Sequence, residues 1–261
     1  MESHVDCDSG SKSNLTDEVV IVTGSGRGIG RAIALDFARS GPNLVLVDLD
    51  LGTLDSVKDE MSALGAKVMI CPVDVSQKSE VDKMVNEVIR DFRRVDVLVN
   101  NAGIIIRKPM EDYAEDDWDR VIDVNLKGVF NFCHAVSKTM IAQRYGRIVN
   151  IASIMGDRAL PPRASYCASK GGIIALTKDL ATEWAKYGIT VNAISPGWVE
   201  TELTKDYFVQ EEVRRLLLSR IPIGRFGQPE EIAHMAMFLA SKKSGYITGQ
   251  NFYVDGGWSA L

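Results

Sequence analysis

Tyr166 and Lys170 stand four residues apart in the run Ser165-Tyr166-Cys167-Ala168-Ser169-Lys170, which opens a stretch with helical spacing. On a helix, positions i and i+4 share one face. A free tyrosine titrates near pH ~10 and is a poor acid or base at neutrality. A neighbouring ammonium favours the phenolate and lowers that pKa, which would make Tyr166 a proton donor or acceptor for a carbonyl/alcohol pair. An exposed pair on an ordinary helix surface is the alternative for the same spacing. Ser153 follows the strand-like run Arg147–Ala152, at the carboxyl end where open α/β sheets place their ligands. Its hydroxyl could hold a substrate oxygen or cap a turn.

A second constellation sits near the start. Thr23-Gly24-Ser25-Gly26-Arg27-Gly28-Ile29-Gly30 follows a β-branched run and precedes helical spacing. Glycines there let the backbone turn sharply and approach a pyrophosphate, whose charge meets the helix N-terminus. A tight turn needing positive φ is the alternative. No Gly-Lys-Ser/Thr follows at P-loop spacing. Asp48 ends the next strand-like run, 18 residues after Gly30. A carboxylate there accepts bonds from ribose hydroxyls and repels a 2′-phosphate, so NAD is expected over NADP. Asp50 is a second candidate, Arg27 would tolerate a phosphate, and Asp48 is also a plausible strand-end turn residue.

The elements that must hold these groups alternate along the chain. Strands are expected at Glu18–Thr23, Asn43–Asp48, Ala66–Val73, Val95–Asn100, Arg147–Ala152, Thr190–Ile194 and Asn251–Val254. Between them the spacing predicts helices at Gly30–Ser40, Thr53–Leu64, Ser76–Phe92, Ala114–Gln143 and Ala164–Tyr187, then near Tyr207–Arg220 and Pro229–Ala240. Near-continuous apolar strands in β-α-β rhythm mean a mostly parallel sheet covered by helices on both faces. The expected fold is a doubly wound Rossmann α/β domain with a seven-stranded sheet over residues 15–261. Residues 1–14 are expected to be a flexible lead-in, being polar with neither signal nor transit character.

The chain has 261 residues, 30 Lys+Arg against 35 Asp+Glu, and a net charge of −5. An acidic balance argues against a general nucleic-acid binder. No apolar run approaches the roughly 18 residues of a membrane helix. The four cysteines and three histidines are scattered, which supports neither a disulfide framework nor a metal site and makes a reducing cytoplasm the expectation.

Taken in order, TGSGRGIG, Asn100-Asn101-Ala102-Gly103, Asn125, Ser153, Tyr166 with Lys170, Pro196-Gly197 and Val254-Asp255-Gly256-Gly257 resemble the motif set of the short-chain dehydrogenase/reductase family over residues 15–261. The resemblance implies that Tyr166 is the general acid/base, that Ser153 orients the reacting oxygen, and that Lys170 also binds the nicotinamide ribose. It implies that Asn125 distorts its helix and holds a water linking Lys170 to solvent; a mid-helix Asn is in any case a poor helix former. Gly24, Ser25, Arg27, Gly28, Ile29 and Gly30 would carry the cofactor diphosphate. Asp74 and the Val75 amide would meet the adenine, although Asp74 also suits a helix N-cap. Asn101, Ala102 and Gly103 would flank the cofactor chain. Pro196, Gly197, Val199 and Thr201 would line the nicotinamide amide, with Ile194 against its ring. Hydride transfer would need no metal. Homotetramers or dimers built on the two long helices are the family's usual assemblies.

The substrate wall is expected from Ile104–Met110, Ile154–Arg163 and the variable stretch 198–225. Arg107, Arg158 and Arg163 on these segments suggest a small-molecule substrate bearing a carboxylate or phosphate; solvated side chains or pairs with local acids are the alternative. Asn100–Met110 is similar to gluconate-type sugar-acid dehydrogenases within the family, where the position of Arg107 is linked to the polar substrate. That points to a secondary alcohol of a sugar acid or polyol. Reduction of a 3-oxoacyl thioester is the chief rival, and a non-catalytic nucleotide-binding scaffold is a rival of another class.

Overall fold

The buried five-residue run Val19–Thr23 forms β1, an interior strand of the sheet. In this computed structural model, which describes residues 17–260, the expected lead-in lies outside the described residues. The further strands are β2 (Asn43–Asp48), β3 (Lys67–Pro72), β4 (Val97–Asn100), β5 (Gly146–Ile151), β6 (Ile189–Pro196) and β7 (Asn251–Val254). They lie in one sheet in the order β3-β2-β1-β4-β5-β6-β7, every pair parallel.

Side chains alternate strictly across the sheet, so each strand feeds two cores. Val19, Ile21, Val45, Val47 and Leu98 face α3 (Lys78–Phe92), α5 (Gly128–Gln143) and α6 (Ala164–Trp184). Val20, Val22, Leu44, Leu46 and Val99 face α1 (Gly28–Ala38), α2 (Leu51–Ser62) and α9 (Pro229–Ala240). Ile33 and Phe37 of α1 are fully buried, each stabilising the fold by about 1.5–3 kcal/mol. A third, smaller cluster joins Trp198, Leu217, Ile221 and Phe226 to Ile154 and Met155 beside β5.

Two expected helices are divided. The stretch Ala114–Gln143 resolves into α4 (Glu115–Ile122), a π-helical turn at Asp123–Lys127, and α5. The helix expected near Tyr207–Arg220 is two short ones, α7 (Glu202–Phe208) and α8 (Glu211–Leu218). The start of α7 is set by a capping box between Thr201 and Thr204, which places its first turn well before the apolar spacing begins. Asp50 caps α2 by accepting from Gly52 N and Thr53 N, so its carboxylate is committed to the helix. α3 begins at Lys78 behind Gln77, so Asp74 is not its N-cap.

The turn after β1 is built on close approach. Gly24 and Gly28 adopt φ of +63° and +53°. A Cβ on Gly30 would lie 2.0 Å from the Gly24 carbonyl oxygen and 2.4 Å from Asn101 Nδ2. Gly30→Ala should therefore force the turn apart and cost roughly 2 kcal/mol or more, read as a lowered urea midpoint; a variant as stable as wild type would overturn this packing account.

Candidate active site

The carboxyl ends of β1 and β4 open a cleft of about 880 Å³. Neighbouring strands connect in opposite directions there, which is where doubly wound sheets leave a crevice. A clasp holds the two ends. Asn101 Nδ2 donates to the Thr23 and Gly24 carbonyls, both at 3.0 Å, and Thr23 Oγ1 accepts from the Asn101 and Ala102 amides at 3.0 and 3.1 Å. Asn101 is thus fastened to the glycine turn, while Ala102 and Gly103 carry on along the cleft wall.

Most of the expected cofactor residues converge on this cleft. Gly24, Arg27, Gly28 and Ile29 line one end, with Asp48, Asp74 and Val75 beside them. Asp48 accepts from Gly26 N at 2.9 Å and Leu49 N at 2.8 Å, so the carboxylate also braces the turn. Asp74 folds into a local turn, accepting from Ser76 N and Oγ. Pro196, Gly197, Val199 and Thr201 line the far side. Ser25 and Gly30 are not on the wall: the Ser25 hydroxyl donates to Val47 O inside the sheet, and both residues act by shaping the turn.

The α1 N-terminus has no side-chain cap and no acid in its first turn. Together with the glycines and the Asp48 carboxylate, this donor-rich end fits a dinucleotide's diphosphate and ribose.

The reactive groups meet at the cleft's middle. Ser153 caps a short turn after β5, its Oγ accepting from Met155 N at 3.1 Å. Tyr166 enters from the first turn of α6 and Lys170 from the next; all three line the cleft. Lys170 is 4% exposed, with Nζ donating to Ile151 O at 2.6 Å and lying 5.6 Å from the Tyr166 ring centroid. Asn125, fully buried in the π-helical turn, accepts from Ile104 N and donates to Ile104 O and Ser169 Oγ. A Cβ on Gly103 would lie 3.4 Å from Asn125 Oδ1 and 3.7 Å from Lys170 Nζ, so the NNAG turn runs directly past both.

Arg107 lines the cleft; Arg163 is buried and is not part of its lining. Arg158 lies outside it as well: it is exposed and donates to Ser259 O at 2.9 Å. Sequence reasoning missed one wall altogether. Asp116, Asp119, Arg120 and Asp123 of α4 and its π-turn line the cleft, and their i, i+3, i+4, i+7 spacing was a readable polar stripe. It also missed Glu202 and Thr204. Glu202 Oε2 would lie 3.4 Å from a Cβ at Gly28, a contact across the cleft that no local pattern announces.

A family model described as enoyl-(acyl carrier protein) reductase matches residues 24–259. The 3-oxoacyl-[acyl-carrier-protein] reductase FabG of Thermotoga maritima is 44% identical, covering 93% of this chain and 98% of that protein. The NAD-dependent glycerol dehydrogenase of Listeria innocua is 40% identical, over 94% of this chain and 95% of that one. A solved structure from Beutenbergia cavernae, assigned as an NAD(P)-dependent gluconate 5-dehydrogenase and holding NADP, superposes with a TM-score of 0.92 at 37% identity, over 96% of this chain and 100% of that one.

Burial governs the titration of the central groups. It pushes the Tyr166 phenol above its ordinary value; the nearby Ser153 hydroxyl, then Arg163 and Arg107, pull it back. Lys170, the cation the sequence pointed to, is not among the groups that do so: burial lowers its own pKa, so it gives up its proton before the phenol does. Burial alone brings the Lys170 ammonium from 10.5 down to about 8. Between those values the unfolded chain holds a proton that the folded chain has released, so this group's contribution to stability rises with pH across that window. Relative to Lys170→Met, the wild-type protein should gain on the order of 2–3 kcal/mol between pH 8 and 10, measured by urea unfolding at stepped pH. A difference that stays constant would count against a buried ammonium.

Proposed function

The chain belongs to the short-chain dehydrogenase/reductase family, NAD(P)-dependent oxidoreductases of CH–OH and keto groups, and from that premise we propose that it oxidises a secondary alcohol of a sugar acid or polyol with NAD. The observation that carries this reading is the convergence of Ser153, Tyr166 and Lys170 on one cleft with the glycine turn and Asp48.

The bound nicotinamide supplies the hydride acceptor. As its phenolate, Tyr166 Oη takes the proton from the substrate hydroxyl, returning it as the neutral phenol in the carbonyl-reducing direction, and Ser153 Oγ hydrogen-bonds the same oxygen, favouring the charge that builds there. Lys170, anchored by Ile151 O, sits one helical turn from the phenol and binds the nicotinamide ribose. Asn125 holds the Ile104 backbone at the edge of this group. Residues Gly24–Gly30 seat the diphosphate, Asp48 the adenosine ribose, Asp74 and Val75 the adenine, Asn101–Gly103 the cofactor chain, and Pro196, Gly197, Val199 and Thr201 the nicotinamide amide. Ser25 and Gly30 contribute by holding the turn's shape. The preference for NAD rests on Asp48, whose carboxylate would repel a 2′-phosphate; Arg27 at the same end is the group that would accept one.

A second reading, reduction of a 3-oxoacyl thioester, is favoured by the 44% identity to the Thermotoga maritima reductase. We further propose a cytoplasmic enzyme that assembles as a homotetramer or dimer through α5 and α6, where Phe130 is 48% exposed. No helix among the described residues is long and apolar enough to cross a membrane.

A panel of sugar acids, polyols and acetoacetyl thioesters, run with NAD and NADP in parallel, tests the reading; turnover of the thioesters alone would reject it. Tyr166→Phe should lower kcat by roughly 10²–10⁴-fold while calorimetry shows NAD binding within a few-fold of wild type. Asp48→Ser should move the ratio of kcat/KM for NAD over NADP toward NADP by about tenfold or more, and an unmoved ratio would remove Asp48 from the cofactor site.

A further inference from the structure

Behind the cleft wall, one phenol joins the segment that follows NNAG to the helix that carries the reacting groups. Tyr113 stands between a short 3-10 turn, Met110–Asp112, and the start of α4. Its Oη lies 2.9 Å from Ile106 O and 2.7 Å from Ser165 Oγ. A carbonyl oxygen only accepts, so the single phenolic proton goes to Ile106 O and the Ser165 hydroxyl donates to Tyr113 Oη. Ser165 is fully buried, and among the described residues this is the one hydrogen bond of its side chain. Leaving such a hydroxyl without a partner is costly, and each bond in the chain Ser165–Tyr113–Ile106 polarises the next.

A second connection runs beside the first. Asn125 bonds the amide and the carbonyl of Ile104 at 2.8 and 2.9 Å and donates to Ser169 Oγ at 3.1 Å. Ser165 and Ser169 are four residues apart on α6, each immediately before a reacting residue, Tyr166 and Lys170. The segment is therefore tied to that helix at two points. Asn125 holds the end next to Gly103, and Tyr113 holds the end next to Arg107. Ile105 and Arg107, on either side of Ile106, line the cleft, whereas Ile106 and Tyr113 do not. The tie thus grips the wall from behind, by its backbone, and leaves the flanking side chains facing the cleft.

We propose that Tyr113 is a positioning residue for the reaction: through Ser165 and the Ile106 carbonyl it sets the distance between the substrate wall at Ile105 and Arg107 and the phenol of Tyr166. The inference rests on the assignment of Tyr166 as the acid/base in the preceding subsection and holds for either substrate reading given there. A misplacement of about 1 Å between reacting groups costs up to ~10²-fold in rate, so a wall freed at one end shows in turnover while the cofactor's own seat, on the far side of the NNAG turn, keeps its geometry.

Tyr113→Phe removes one oxygen atom and both bonds. The first measurement is hydrogen exchange by NMR on the protein without ligands: the Ile104 amide, held by Asn125 Oδ1, should exchange roughly fivefold faster than in wild type, with the amides of β1 and β4 unchanged. The second is turnover of D-gluconate with NAD and of acetoacetyl-CoA with NADPH. On whichever compound is a substrate, kcat should fall by about tenfold or more while calorimetry shows unaltered NADH binding. Ser165→Ala should lower kcat in the same direction, and the double variant should be no slower than Tyr113→Phe alone, because both changes break one connection. Wild-type exchange and kcat in Tyr113→Phe, NADH affinity lost in step with kcat, or losses that add in the double variant would each overturn the proposal. If neither compound is turned over, that counts against the preceding reading, and the exchange rates alone then decide whether Tyr113 holds the wall.

Discussion

Right-handed crossovers allow a parallel sheet to grow in two directions only by reversing once, and that reversal, between β1 and β4, is the constraint on which the molecule's site depends. Helices leave the two strands toward opposite faces, so no side chain fills the gap between their carboxyl ends. What prevents the gap from spreading is the clasp of Thr23 and Asn101, four hydrogen bonds made across sequence separations of 77 to 79 residues. The glycine turn, the NNAG segment and β5 are positioned by this one join, and Ser153, Tyr166 and Lys170 inherit their places from it.

The site is also where the chain accepts local cost. A buried ammonium with one protein hydrogen bond, a π-helical turn and the half-buried Arg107, whose Nε is unpartnered, border a single cleft. Each departs from the regular winding and hydrogen-bonded polar groups that make up most of the fold. Such departures gather where groups are held ready for a ligand rather than for stability. The cores on both faces of the sheet supply the surplus that tolerates them.

Much of this was legible in the residues themselves. Continuous apolar strands announced a sheet buried on both faces, and strict glycine placement between β1 and α1 announced the turn. The Tyr166–Lys170 spacing needed only a helix to bring both to one face. Other features were set by partners far along the chain. The break between α4 and α5, which the resemblance implied at Asn125, is held by that residue bonding a backbone 21 residues earlier, and Arg158 is drawn off by a carbonyl 101 residues later. Asp50 looked like a ligand until the helix it caps was seen to begin at Leu51. The counter-charges on the phenol come from Arg107, far back in the chain, and from Arg163, three residues before it, both of which the sequence offered only as substrate contacts.

The π-helical turn makes the chain unusually sensitive to length at one place. It spends an extra residue to aim Asn125 at the Ile104 backbone while α5 keeps its own packing against α3. Removing one residue between Asp123 and Lys127 would return the segment to regular winding and let α4 run straight into α5. Phe132, Val136 and Met140 would keep their places on the sheet, but Asn125 would lose its aim at the Ile104 backbone. A surface loop absorbs a deletion without consequence for chemistry; here one would spare the core and strike the edge of the cleft, so variation in this region has to proceed by substitution.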